Sequence, residues 1–208
     1  MERALGLYRA ANGSESAEVG MAANNLSEVL VATGRYREAE EGFRAAIGIS
    51  TRALGENHPD VAVERTNLAN LLLLLGNFPA AESVVTSAIG TYEKLYGAQH
   101  PLLSKPLRVL AKVRTMTQQY PAAEALLVRV RDIEGSVSTS SANYASALTA
   151  LAAHYDATDQ PDKALDYDRR ALPIYERIYG VNHPSTATLH ASIGSQLVYQ
   201  GKLKEAEA

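Results

Sequence analysis

Apolar side chains in this chain return at three- and four-residue steps, block after block. From Pro59 to about Leu75 the positions Val61, Leu68, Leu71, Leu72 and Leu75 keep that rhythm, which is the period of one helix face. A second helix follows from Phe78 to Tyr96, and a matching one runs from about Tyr36 to Leu54. Pro59, Pro101 and Pro184 suit a first helical turn, where a missing N–H costs nothing, and each pushes the residue before it to an extended, cap-like conformation. Gly34, Gly76 and Gly201 end the first helices of their blocks. Two-residue alternation long enough for a strand is missing from the sequence. The pattern predicts an all-α chain of helix pairs.

The pairs are copies. Gly34-Arg-Tyr-Arg-Glu-Ala-Glu40 returns as Gly76-Asn-Phe-Pro-Ala-Ala-Glu82, Gln118-Gln-Tyr-Pro-Ala-Ala-Glu124, Asp159-Gln-Pro-Asp-Lys-Ala-Leu165 and Gly201-Lys-Leu-Lys-Glu-Ala-Glu207, at steps of 42, 42, 41 and 42 residues. Leu26, Leu68, Leu110, Leu151 and Ile193 keep the same steps. Asn57-His58-Pro59 is echoed by Gln99-His100-Pro101 and Asn182-His183-Pro184. Small Ala39, Ala81, Ala123, Ala164 and Ala206 recur where two helices must approach closely, with Tyr36, Phe78, Tyr120 and Leu203 expected to fill the space beside them. The junction "DIEGSVSTSSANYASAL" lacks His-Pro and is one residue short, so Gly135 to Ser141 reads as a more mobile linker.

These landmarks, together with Ala46, Ala88 and Ala171, resemble the tetratricopeptide repeat, whose ordinary period is 34 residues. The longer step, with "LGENHPDVA" and "NLANLL", resembles the kinesin-light-chain type of that family. The resemblance spans residues 1–208 and implies a right-handed α-solenoid: repeats at about 14–55, 56–97, 98–138 and 139–180, with partial copies at 1–13 and 181–208. "RALGLY" at Arg3 to Tyr8 matches "RALPIY" at Arg170 to Tyr175, so both ends fall inside a copy and neither shows a polar cap. A longer parent protein is the expectation.

Stacked units of this kind share one core, with first helices lining a concave groove suited to an extended peptide or a helix. The family pattern puts in that groove Met21, Asn24 and Glu28; Val63, Thr66, Asn70 and Leu73; Lys105, Arg108, Lys112 and Thr115; Ser146, Thr149, Ala153 and Asp156; and Thr188, Ser195 and Tyr199. The peptide-contacting set is Asn24, Thr66, Asn70, Leu73, Lys105, Arg108, Lys112 and Thr149. Lys105, Arg108 and Lys112 share one helix face, Arg114 adds a fourth cation, and no acid occurs between Leu102 and Met116. Such a stripe favours an acidic peptide through charge-assisted hydrogen bonds and steering, and the kinesin-light-chain resemblance implies acidic cargo. The alternative is a solvated helix face. Asn24, Asn25, Asn67 and Asn70 could clamp a ligand backbone, an amide being both donor and acceptor, or could lock adjacent repeats to each other.

Composition narrows the function further. A net charge of −3 argues against a nucleic-acid partner bound by bulk phosphate attraction. No run is apolar and long enough for a membrane span or a signal peptide. With 0 cysteines, disulfides, thiolate metal sites and Cys nucleophiles are excluded and a reducing, cytoplasmic setting is expected. His58, His100 and His183 recur about one repeat apart or more, which suits caps rather than a metal site. No phosphate loop, His-Glu-x-x-His or Gly-x-Ser-x-Gly occurs. The expectation is a non-catalytic scaffold that needs no cofactor and binds a protein or peptide partner. A regulatory arm of a larger signalling enzyme, fused to a nucleotide-binding switch or a caspase-like peptidase, is the second reading. Self-association through uncapped ends is the third.

Overall fold

The structure is a computed structural model in which residues 16–206 are described; the expected partial copy at 1–13 lies outside them. Every regular element among the described residues is helical. The helices are α1 (Ala17–Ala32), α2 (Tyr36–Leu54), α3 (Pro59–Leu74), α4 (Phe78–Tyr96), α5 (Ser104–Met116, preceded by a 3-10 turn at Pro101–Leu103), α6 (Tyr120–Val137), α7 (Ala142–Ala157), α8 (Pro161–Tyr179), α9 (Pro184–Tyr199) and α10 (Leu203–Ala206). They form two compact units divided after Thr117, α1 to α5 in the first and α6 to α10 in the second.

The turn inside each helix pair is one device repeated. In the first copy the Gly34 N–H bonds to the Val31 carbonyl and the Arg35 N–H to the Leu30 carbonyl, the two bonds that satisfy the orphan carbonyls of a helix end. Gly76, Asp159 and Gly201 and the residues after them repeat both bonds. The geometry requires a positive φ, which Gly34, Gly76 and Gly201 adopt without strain. Gln118 (φ 59°) and Asp159 (φ 56°) hold it with a side chain present. The backbone step thus survives loss of the glycine.

Between pairs the connectors are equally regular. His58, His100 and His183 are extended, and each accepts from the backbone N–H two residues on, at Asp60, Leu102 and Ser185, through Nδ1. The histidines are N-caps, each followed by proline in the first turn. Two of them also stack on the tyrosine that ends the previous helix: Tyr96 with His100 at 4.6 Å and Tyr179 with His183 at 4.8 Å between ring centroids.

The junction at 135–141 differs from the expected linker. Gly135 lies inside α6, where the Tyr144 ring packs so close that an added Cβ would sit 3.1 Å from it. Ser138 is extended, the Ser141 hydroxyl donates to the Ser138 carbonyl at 3.0 Å, and Ser141 Oγ accepts from the Tyr144 N–H at 3.1 Å. This is a built cap. The missing residue is lost from the helix, since α6 has 18 residues where α2, α4 and α8 have 19.

In the first unit Leu30, Phe43, Leu68, Leu71, Leu72 and Val113 form one buried cluster with Ala39 and Ala81. The recurring alanines at 39, 81, 123 and 164 have no exposed surface, as close helix approach requires. Their large neighbours fill less space than expected: Phe78 is half-buried, Tyr36 and Tyr120 are over a third exposed, and Leu203 is 58% exposed. Each starts a helix, at the edge of its stack. In the second unit Leu148, Ala171 and Leu189 gather Tyr144, Tyr167, Ile174, Tyr175 and Ile193 around them.

Candidate binding faces of the first helices

In the first unit, α1, α3 and α5 are neighbours in register, and a polar ladder runs across them. Asn67 Nδ2 donates to Asn24 Oδ1 at 3.0 Å and to Glu28 Oε1 at 2.6 Å, and Lys105 Nζ donates to Asn67 Oδ1 at 2.8 Å. The Asn24 amide donates in turn to Asn25 Oδ1 at 3.3 Å. Asn24 and Asn67 are 5% and 7% exposed. Of the two roles open to the asparagines, these two take the locking one, because each finds the other before it can reach a guest. The repeats are tied through their first helices.

The remaining site residues separate by burial. Thr66, expected in the groove, is 2% exposed and its hydroxyl donates to the Ala62 carbonyl at 2.7 Å; it packs between helices and offers no surface to a partner. Leu73 is half-buried against the apolar cluster, while Leu74 and Leu75 beyond it are exposed. Asn70, Lys105 and Lys112 are exposed and Arg108 is half-buried. Arg114 belongs elsewhere, since it pairs with Glu82 on α4 at 2.6 Å. The open face of α5 therefore carries Lys105 and Lys112, two helical turns apart, with the Lys105 ammonium also bonded to Asn67. Met21 (52% exposed) and Val63 (41%) add apolar surface on α1 and α3.

In the second unit Thr149 is half-buried, donates to the Ser146 carbonyl at 3.1 Å, and lines a cavity of about 380 Å³. Thr149 and Asp156 come from α7, Asp168 from α8, and Ser192 and Gln196 from α9. A second cavity of about 510 Å³ shares Asp156, Ser192 and Gln196 and adds Asp159 and Tyr199. Tyr199 is 72% exposed, and its hydroxyl donates to Asp159 Oδ1 at 3.3 Å. Asp168 is 3% exposed; Ser192 Oγ and Gln196 Nε2 donate to its Oδ2 at 2.7 and 3.1 Å. Burial pushes its carboxyl above the ordinary range, against the lowering effect of those two hydrogen bonds.

Asp168 and Gln196 were not among the sequence candidates, although the alignment of copies carries their signal. Asp168 stands where the other repeats have Phe43, Val85 and Leu127, all buried. A carboxylate in an apolar column marks a place where packing has been given up. No group of three or more His, Cys, Asp or Glu side chains among the described residues could hold a metal ion.

The family model of the tetratricopeptide repeat matches residues 18–94, 65–133 and 143–208. The chain belongs to the tetratricopeptide repeat family. Its fold is similar to that of the kinesin light chain nearly identical TPR-like repeats of Podosopora anserina (TM-score 0.76, 20% identity, 90% of this chain and 89% of that one). BtubC (BKLC) from P. vanneervenii is similar over 99% of this chain and 82% of its own, with TM-score 0.82 and 18% identity. A Rap protein complexed with competence and sporulation factor is similar over 86% of this chain and 48% of its own, with TM-score 0.69 and 13% identity. A comparison with curated proteins finds no match. The tetratricopeptide chain thus has an all-α repeat fold, kinesin-light-chain-like, of a family that typically serves protein interaction. No helix among its described residues is long and apolar enough to cross a membrane.

Proposed function

We propose that the chain is an interaction scaffold whose first-helix face holds a partner segment, acidic where it meets α5. The observation that carries this is the exposure of Lys105 and Lys112 on a helix with no acid between Leu102 and Met116. Two ammonium groups on one face supply charge-assisted bonds to carboxylates and raise the rate of encounter with an acidic segment. Lys112 carries more of this than Lys105, whose ammonium already bonds to Asn67 beside Glu28. Asn70 offers both a donor and an acceptor to a backbone, and Met21 and Val63 offer apolar contact.

The test is a titration of fluorescent acidic peptides against the chain and its Lys112→Glu and Lys105→Glu/Arg108→Glu variants. Binding that weakens by about tenfold, and more steeply at low salt, supports the reading. Binding indifferent to all three charges overturns it.

A second reading, a regulatory arm within a longer signalling protein, draws on the Rap likeness, in which this fold accounts for 48% of a chain complexed with competence and sporulation factor. The full reading frame decides it: a nucleotide-binding or peptidase module in the same polypeptide supports the arm, and a frame that ends with the repeats excludes it.

A further inference from the structure

In the first unit, the second helix of one repeat meets the first helix of the next through apolar pairs. Phe43 on α2 shares a buried cluster with Leu71 on α3, and Val85 on α4 and Val113 on α5 occupy the same two repeat positions, both fully buried. On α8 and α9 these positions hold Asp168 and Gln196, joined by a hydrogen bond at 3.1 Å. The substitution puts a carboxylate and an amide, 3% and 5% exposed, where the first two copies put hydrocarbon and the third has Leu127 with a buried His154. Such an exchange costs stability unless every polar valence is met.

One valence is unmet. The Gln196 amide is oriented by Asp168, since only its Nε2 can donate to the carboxylate. Its Oε1 is left buried without a partner, in a residue that lines both cavities. Donors around Asp168 are directed at it: the Ser192 hydroxyl donates to Oδ2, and Gln196 Nε2 reaches Oδ2 and Ser192 Oγ. The Tyr199 hydroxyl is likewise directed at Asp159. The residues Asp156, Asp168 and Gln196 line the cavity of about 380 Å³ together, two carboxylates beside an amide whose carbonyl has no partner. No lysine, arginine or histidine lines either cavity.

We propose that this pocket between α7, α8 and α9 receives the cationic end of a lysine or arginine side chain from a partner polypeptide. A guanidinium or ammonium brings several donors and one positive charge to a wall that holds carboxylates and one unpartnered carbonyl. The absence of a metal-ligating cluster among the described residues favours an organic cation. The volume, about 380 Å³ in the cavity that Asp168 lines, suits one side chain. The pocket is separate from the α5 face and does not depend on the acidic-segment reading.

The test follows backbone and side-chain amide NMR shifts while Nα-acetyl-arginine amide, Nα-acetyl-lysine amide or Nα-acetyl-citrulline amide is added. Citrulline keeps the shape of arginine and removes its charge. Saturable shifts at the Gln196 side-chain amide and around Ser192 with a cationic probe, at least about tenfold weaker with citrulline, are expected. Asp156→Asn, an exposed change, should weaken them. Asp168→Leu/Gln196→Leu restores the hydrocarbon pair of the first two copies, and should keep the fold and abolish the response. Cationic shifts scattered over surface carboxylates, equal shifts with citrulline, no saturable response to either cation, or binding retained in the Leu/Leu variant would each overturn the proposal.

Discussion

Lys105 Nζ lies 2.8 Å from Asn67 Oδ1, and this contact makes Asn67 the point where three first helices are joined. Asn67→Ala removes it and leaves the buried Asn24 carbonyl without its donor. A loss of about 1–3 kcal/mol is expected, read as a lower melting temperature by circular dichroism. Asn70→Ala, an exposed change three residues away from the ladder's centre, should stay within about 0.5 kcal/mol of the parent. Equal melting of the two variants would show that the ladder adds nothing.

Asp168 gives the fold a pH dependence of known sign. Burial holds its folded carboxyl above the ordinary value of 3.8, so the folded chain binds that proton more tightly than the unfolded chain. Its contribution to stability is complete below the ordinary value and is lost as pH rises through the raised one. Asp168→Asn, which does not titrate, should therefore gain on the parent as pH climbs from acid to neutral. Denaturant melts at a series of pH values measure the gap; one that is flat or narrows with rising pH refutes the assignment.

Gln118 holds a positive φ of 59° that its counterparts Gly34 and Gly76 hold without a side chain. Gln118→Gly should relieve about 1 kcal/mol of local strain, offset in part by the greater freedom of glycine in the unfolded chain. A net rise in stability is expected, and Gly76→Gln should give a net fall. A fall for Gln118→Gly or a rise for Gly76→Gln would refute the strain account.

His100 caps a helix and stacks on Tyr96. His100→Ala should cost about 1 kcal/mol for the cap alone, seen as faster amide exchange at Leu102 and Leu103. His100→Asn should recover the cap and leave the lost stack. Identical exchange in both variants would assign the whole effect to the ring.

The fold was legible in the sequence because its signals are local. Helix period, first-turn proline and the glycine of the intra-repeat turn act over a few residues, and the last two each recur in three copies. The candidate site was legible only as far as a single copy decides it. Lys105 and Lys112 came out exposed, where helical spacing placed them on one face. Thr66 and Asn24 are buried, and that burial depends on the neighbouring repeat, which helical phase within one helix does not encode. Asp168 stands at the position of Phe43, Val85 and Leu127 in the repeat alignment, on a second helix and so outside the residues expected to line the groove.

At Tyr96 to His100 and Tyr179 to His183, one imidazole leans on the helix that ends and caps the helix that begins. Adding or deleting a residue inside either hinge would move the ring away from one of its two duties. The junction with neither histidine nor terminal tyrosine, at Ser138 to Ser141, is the one where the chain has shortened its count to 41. The shortened helix thus runs into the one unclasped joint among the described residues, and a designer splicing or trimming repeats should cut there.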